Sequence, residues 1–297
     1  MLLLLTGSSD GSADRIVSRF DDDQVFRFNF DLWADYELTL TPNYWQISSP
    51  CGRSISSEKV TRAFFWKAFH FYLLDTDHLI SSEVKYIFRE LYNWCAMRNL
   101  LRGTHYTYHN QMGKISILSI AKEYFSIPET LITIKNSGLD LLSNHSVVAK
   151  SLSSAVSSEQ TVLATTEIEL NQLHPAYPWY LQKKIESDWD ITVFQCGTKL
   201  FAFRRSRADL KGVDWRTEQK FDDSIQEWFP FELTDDESNK VKCLSNDLGI
   251  DFGRYDFMSS KLENRLIFLE YNANGQWVFL DPHDKFGLLD QVVAYLS

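Results

Sequence analysis

Residues 254–277 read RYDFMSSKLENRLIFLEYNANGQW, and the folding of this stretch decides how the rest of the chain is understood. Two runs rich in apolar and aromatic residues flank a polar segment at 259–264, the pattern of a β-hairpin. Side chains alternate between the two faces of a strand, so Glu270 and Asn272 share a face, with Leu266 and Phe268 expected behind them on the same side. Strand pairing would bring Asp256 beside them. Two carboxylates and an amide are hard oxygen donors of the kind Mg²⁺ accepts, with its remaining positions left to water and substrate phosphates. The same three residues would also suit an ordinary solvated strand end, so residues elsewhere have to decide.

A chain of 297 residues with 44% hydrophobic and 14% aromatic content is long enough for two lobes or one large core. The run Leu2 to Leu5 has no basic segment before it and turns polar at once over 6–14, so it reads as a buried first strand rather than a signal peptide. No apolar run approaches the length of a membrane span. Cys51, Cys95, Cys196 and Cys243 are scattered without a CxxC pair, which fits reduced thiols in a cytoplasmic protein. A formal charge of -10 argues against general binding of nucleic acid or a membrane surface. Any anionic ligand must then be held by a local basic cluster.

Taken in order, 1–6 is a strand, followed by the loop GSSDGSAD and a short helix through Ile16 and Val17. Neither GxGxxG nor GxxxxGK[ST] is present, so a phosphate loop is not the expected reading of this turn. Further strands are predicted at 25–30, 38–40, 45–47 and 63–66. Apolar residues at three- and four-residue steps from Val84 predict a helix over 82–101, ended by Arg102 and Gly103, where a lobe boundary is expected. A second helix is expected over 110–124 with Asn110 as its cap, and strands at 130–134, 146–150, 161–164 and 179–185. His105 and His109 stand four apart, but no HExxH accompanies them and a zinc site is not expected.

The polar loop SLSSAVSSEQ after Lys150 is a candidate lid over phosphates, with a plain surface loop as the default reading. Residues 191–195 and 199–203 form a second hairpin around Cys196-Gly197-Thr198. It runs into Arg204, Arg205 and Arg207, with Lys211 and Arg216 behind, and arginine forks suit phosphate or carboxylate. Thr234 to Glu237 is a capping box that opens a helix ended by Gly249, and a last helix carries Leu288, Leu289, Val292 and Leu296.

Lys114 in NQMGK, Lys150 in VVAK, the segment LQKKI, and Asp256, Glu270 and Asn272 follow one another in an order that resembles the ATP-grasp ligases. IPETLIT, GTKLFAF, VDWR and FLEYNANGQW look in particular like the graspetide ligases of the microviridin type, which stand close to the ribosomal-protein glutamate ligases. The resemblance covers 104–297. It implies an α/β (α+β) ATP-grasp fold with a nucleotide cleft between two antiparallel-sheet lobes. The expected units are a pre-ATP-grasp domain over 1–103, a central lobe over 104–180 and a C-terminal lobe over 181–297.

By that resemblance Lys114 and Lys150 hold ATP phosphates, the backbone of Gln182, Lys183, Lys184 and Ile185 reads adenine, and Asp190 faces the ribose. Asp256, Glu270 and Asn272 bind Mg²⁺, Asp214, Arg216 and Arg207 face the substrate, and Arg204, Arg205 and Arg216 carry catalytic charge. The family usually has an arginine where this chain has Thr192, and many relatives have an acid where it has Lys183. The implied activity is ligation of a carboxylate to an amine or hydroxyl through an acyl phosphate, on an acidic peptide made by the ribosome. Two other readings are a ligase for an amino acid or small metabolite, and a nucleotide-binding regulator of impaired activity. Many relatives are dimers, which leaves a homodimer open here.

Overall fold

The computed structural model describes residues 1–67, 77–103, 113–152, 164–214, 228–259 and 265–297. Their strands form four sheets. The first is parallel, in the order β2 (Val25–Asn29), β1 (Leu2–Thr6), β6 (Arg62–Phe65), β7 (Leu101–Arg102). Parallel strands are covered on both faces, which is why β1 reads as an unbroken leucine run. Leu3 and Leu5 pack with Phe26 and Phe28 under helix α2 (His78–Ala96). Leu2 and Leu4 face the other way, beside helix α1 (Gly11–Val17). A small antiparallel sheet of β3 (Glu37–Leu40), β4 (Trp45–Ser48) and β5 (Ser54–Ser56) closes the first of these cores through Trp45, Ile47 and Ile55.

Helix α2 departs from the expected 82–101. The Asp77 carboxylate accepts the Leu79 N–H at 2.7 Å and starts the helix a turn early. At the far end Asn99 takes φ 56 and the chain leaves as β7. Apolar spacing marks the buried stripe of a helix, whereas capping groups set its ends.

The second half carries two antiparallel sheets. One has the order β10 (Thr166–Ile168), β9 (Val147–Lys150), β11 (Trp179–Lys183), β8 (Thr130–Thr133). The other has the order β14 (Phe229–Pro230), β13 (Lys199–Ser206), β12 (Trp189–Cys196), β15 (Phe252–Ser259), β16 (Leu266–Asn272). The strand expected at 161–164 falls mostly outside the described residues, and β10 begins two residues beyond it. β11 stops at Lys183 rather than 185. The predicted helix over 110–124 is α3 (Lys114–Ala121), capped by Gly113, while Asn110, His105 and His109 lie outside the described residues. So do residues 153–160 of the proposed lid.

Helix α4 (Asp235–Leu248) has the predicted capping box between Thr234 and Glu237 and ends on Gly249 at φ 63. With α3 it covers one face of the five-stranded sheet, packing Ile117, Leu118, Val241 and Leu244 on Val193, Tyr255 and Phe268. Part of the other face, at Phe194, Cys196 and Phe252, is buried against helix α5 (Leu288–Leu296) and against Leu2, Leu4 and Phe64 of the parallel sheet. The N-terminal sheet and the C-terminal sheet therefore share one core. Further along this face the apolar cover stops and polar residues begin.

Candidate active site

Alternation places Val148, Lys150 and Gln182 on one face of the β9–β11 sheet, while Val147 and Leu181 enter the core behind it. Asp190, Thr192, Arg254 and Asp256 lie on the facing surface of the five-stranded sheet, in continuity with the buried Phe194 and Phe252. Between the sheets is a cleft lined by Lys150, Gln182, Ile185, Asp190, Asp256 and Glu270 among others.

The opening hairpin forms as expected, with one consequential difference. Asp256 pairs with Glu270 and Phe257 with Phe268, so Leu269 is an extra residue in β16. This β-bulge reverses the alternation. Phe268 and Leu266 enter the core with Tyr271, and Glu270 and Asn272 point to the opposite face. The expectation that all four share a side is corrected: without the bulge, a buried Phe268 would have carried Glu270 into the core as well.

Asp256, Glu270 and Asn272 converge. The Asn272 Nδ2 donates to Asp256 at 2.7 Å and to Glu270 at 3.2 Å. Turning the amide over would bring Oδ1 to the same place, giving two carboxylates and one carbonyl around a single point. That donor set fits Mg²⁺ and lacks the soft ligands of a zinc or copper centre. Among the described residues no group of three His, Cys, Asp or Glu offers an alternative metal site. Lys114, at the start of α3, donates to Glu270 at 3.1 Å and lies over the Tyr180 ring at 5.7 Å. Burial would raise the Glu270 carboxyl, but Lys114, Lys150 and the Asn272 amide outweigh it and hold the group well below the usual carboxylate range.

The segment after β11 also borders the cleft. The Lys183 and Lys184 N–H groups donate to the Glu129 and Ser146 carbonyls, and their side chains pair with Glu129 and Glu167. Gln182 is buried and donates to Thr130 and Tyr180. Gln182 is thus a fixed wall of the cleft, with Ile185 beside it.

The arginines separate. Asp190 lines the cleft, but Arg205 reaches one of its oxygens at 2.8 Å and Arg207 the other at 2.6 Å. Arg205 is buried and Arg207 borders the cleft. Arg204 lies on the opposite side of β13, exposed, with its guanidinium over Trp189 at 4.5 Å, and is not among the residues lining the cleft. Asp214, also buried at the cleft, accepts the Thr165 N–H at 2.8 Å and so links the two sheets' connections. Arg216 lies outside the described residues.

Arg254 is the cleft residue that sequence reading missed. Its Nε lies 3.0 Å from Asp256 Oδ1, and its Nη2 donates to Oδ2 at 3.2 Å. The signal was available, because two residues apart on a strand means the same face.

No protein-family model matches the chain, and no curated protein matches its sequence. Solved structures do. A Chryseobacterium gregarium RiPP-associated ATP-grasp ligase, in complex with ADP and a leader and core peptide, superposes with a TM-score of 0.82 at 21% identity, over 99% of this chain and 96% of that one. The macrocyclase MdnC from Microcystis aeruginosa MRC, bound with precursor peptide MdnA, gives 0.82 at 18% identity over 100% and 99%. PsnB, complexed with minimal precursor, Mg and ADP, gives 0.71 at 11% identity over 100% and 97%. The likeness spans the parallel N-terminal sheet as well as residues 104–297, and the chain has the ATP-grasp fold of these ligases from end to end.

Proposed function

We propose that this protein is an ATP-dependent ligase that activates side-chain carboxylates of a ribosomally made peptide and joins them to an amine or hydroxyl of that peptide. The observation that carries the reading is the convergence of Lys114, Lys150, Asp256, Glu270 and Asn272 on one cleft between two antiparallel sheets. The cleft lining also supports it: Lys150, Lys183, Lys184, Arg207 and Arg254 are brought to one place in a protein of net charge -10, Lys183 and Lys184 being paired with Glu129 and Glu167 at its edge. Such a cleft favours a polyanion such as a nucleoside triphosphate. The solved structures of the same fold hold ADP and precursor peptides, which supports the substrate classes.

In this reading Lys150, from the end of β9, and Lys114, from the start of α3, hold the phosphates as point charges. The backbone near Ile185 meets the adenine edge, and Arg207 and Asp214 border the peptide. Asp256, Glu270 and Asn272 would hold Mg²⁺, which would supply neutralisation of charge on the phosphate oxygens. A substrate carboxylate oxygen bonds to the γ-phosphorus while the bond to ADP breaks, its electron pair leaving with ADP. The amine or hydroxyl then adds to the acyl carbon and expels phosphate, and its proton passes to solvent. No protein nucleophile is required, in keeping with buried thiols such as Cys95, which burial pushes up to about 12.

The test is ADP formation by the purified protein with Mg·ATP and a peptide rich in Glu or Asp and carrying Ser, Thr or Lys. The expected product has lost one water for each bond made, read by mass spectrometry. ATP binding without ADP formation on any carboxylate peptide would remove the ligase reading and leave a nucleotide-binding regulator.

A further inference from the structure

Thr192 is buried in the centre of β12, directly opposite Asp256, and its hydroxyl donates to Asp256 Oδ1 at 2.9 Å. A hydroxyl cannot neutralise a transferring phosphoryl group. The arginines just downstream are committed elsewhere: Arg205 to Asp190, and Arg204 to the Trp189 ring on the far side of the strand. Arg254 comes from the neighbouring strand, one pleat away from Asp256. Its guanidinium spans the Asp256 carboxylate, and its side chain is only 16% exposed.

Arg254 is held in place independently of Asp256. Its Nη1 donates to the Gln276 carbonyl at 3.0 Å, and the guanidinium lies 5.6 Å from the Phe279 ring centre. Gly275 makes room for it: a Cβ there would come within 3.1 Å of the Arg254 Cβ and 3.3 Å of its Nε. Nε and Nη2 both face the Asp256 carboxylate, the group that a bound metal would draw on. Were a metal to take the Asp256 oxygens, the guanidinium would stay at the site, anchored by a carbonyl and a ring, with Nε and Nη2 released for an incoming anion.

We propose that Arg254 is the residue that contacts the γ-phosphoryl group during transfer and the acyl phosphate that forms, from a strand adjacent to the usual position, which Thr192 occupies here. The assignment rests on the ligase reading above. Charge on the phosphoryl oxygens is greatest in transfer, so a rigid guanidinium beside the metal-binding set acts there more than on bound ATP.

The experiment measures binding of Mg·ADP with and without fluoroaluminate, which mimics the transferring phosphoryl group, alongside peptide-dependent ADP formation. The wild-type protein should bind ADP at least about tenfold more tightly with fluoroaluminate, and Arg254→Gln should lose that gain and about 10²-fold or more in kcat. Its affinity for Mg·ADP alone should stay within about threefold, because Arg254 is not asked to hold the nucleotide. Arg254→Lys, which keeps the charge on Asp256 but not the fork, should recover only part of the rate and shows that the strand still folds. Unchanged fluoroaluminate tightening in Arg254→Gln, or an equal loss of Mg·ADP binding, would overturn the assignment while leaving the ligase reading intact. If the wild-type protein itself neither tightens nor forms ADP, the ligase reading fails and the assignment falls with it.

Discussion

Two polar clusters share one face of the five-stranded sheet, and their difference separates framework from chemistry. On β12 and β13, Asp190 gives each oxygen to an arginine, and the three side chains are 6–12% exposed. On β15 and β16, Asp256 and Glu270 stand with Asn272, Lys114 and Arg254, and the charged side chains among these are 16–29% exposed. The first cluster has its charges spent on each other in a dry setting. The second brings two carboxylates together in an open cleft, with cations at their flanks. An arginine-rich run in a sequence shows where positive charge is made, whereas the fold decides where it is used.

Substitutions that separate the clusters test this contrast. Glu270→Gln should lower ADP formation about 10²- to 10³-fold with the fold intact, since it removes charge from the metal-binding set. Because Lys114 and Lys150 depress the Glu270 pKa, this carboxylate stays charged at all pH above its ordinary value of 4.5. Its pairing with Lys114 contributes stability above that value and loses it as the pH falls below, so no activity loss between neutral pH and 4.5 should trace to Glu270. An acid limb between pH 4.5 and neutrality that disappears in Glu270→Gln would contradict this.

Asp190→Asn should act mainly on stability, costing about 3–5 kcal/mol in denaturant titration, because it leaves Arg205 buried without its counter-charge. If stability held and nucleotide binding were lost instead, Asp190 would belong with the chemistry. The smallest effect is expected from Arg204→Ala. Loss of the stack on Trp189 should cost about 0.5–1 kcal/mol, with ADP formation nearly unchanged. A large loss of rate there would restore Arg204 to the catalytic role that the sequence suggested.

Much of this molecule was legible from local pattern. Alternating apolar residues marked both hairpins of the C-terminal sheet, the leucines of β1 announced a strand covered on both sides, and Thr234 with Glu237 marked the start of α4. Lys114, Lys150, Asp256, Glu270 and Asn272 are legible through the order in which they follow one another, which resembles that of the ATP-grasp ligases. Less legible were features set between strands. Arg254 was passed over although it shares a face with Asp256, because its value depends on the room left by Gly275 and on the Gln276 carbonyl. The arginines at the end of β13 and just beyond it look available because nothing in their spacing shows that Asp190 pairs with two of them.

The sequence by itself determined most of the elements, the capping box of α4 and the acid and amide residues of the hairpin, because alternation, capping and turn chemistry act over a few neighbouring residues. Only the tertiary structure decided which way those residues face. The extra Leu269 appears when β16 is registered against β15, with Phe257 and Phe268 buried on one side, and it turns Glu270 and Asn272 into the cleft. Register follows from the packing of side chains distant in the chain, and a slip of one residue reverses every face.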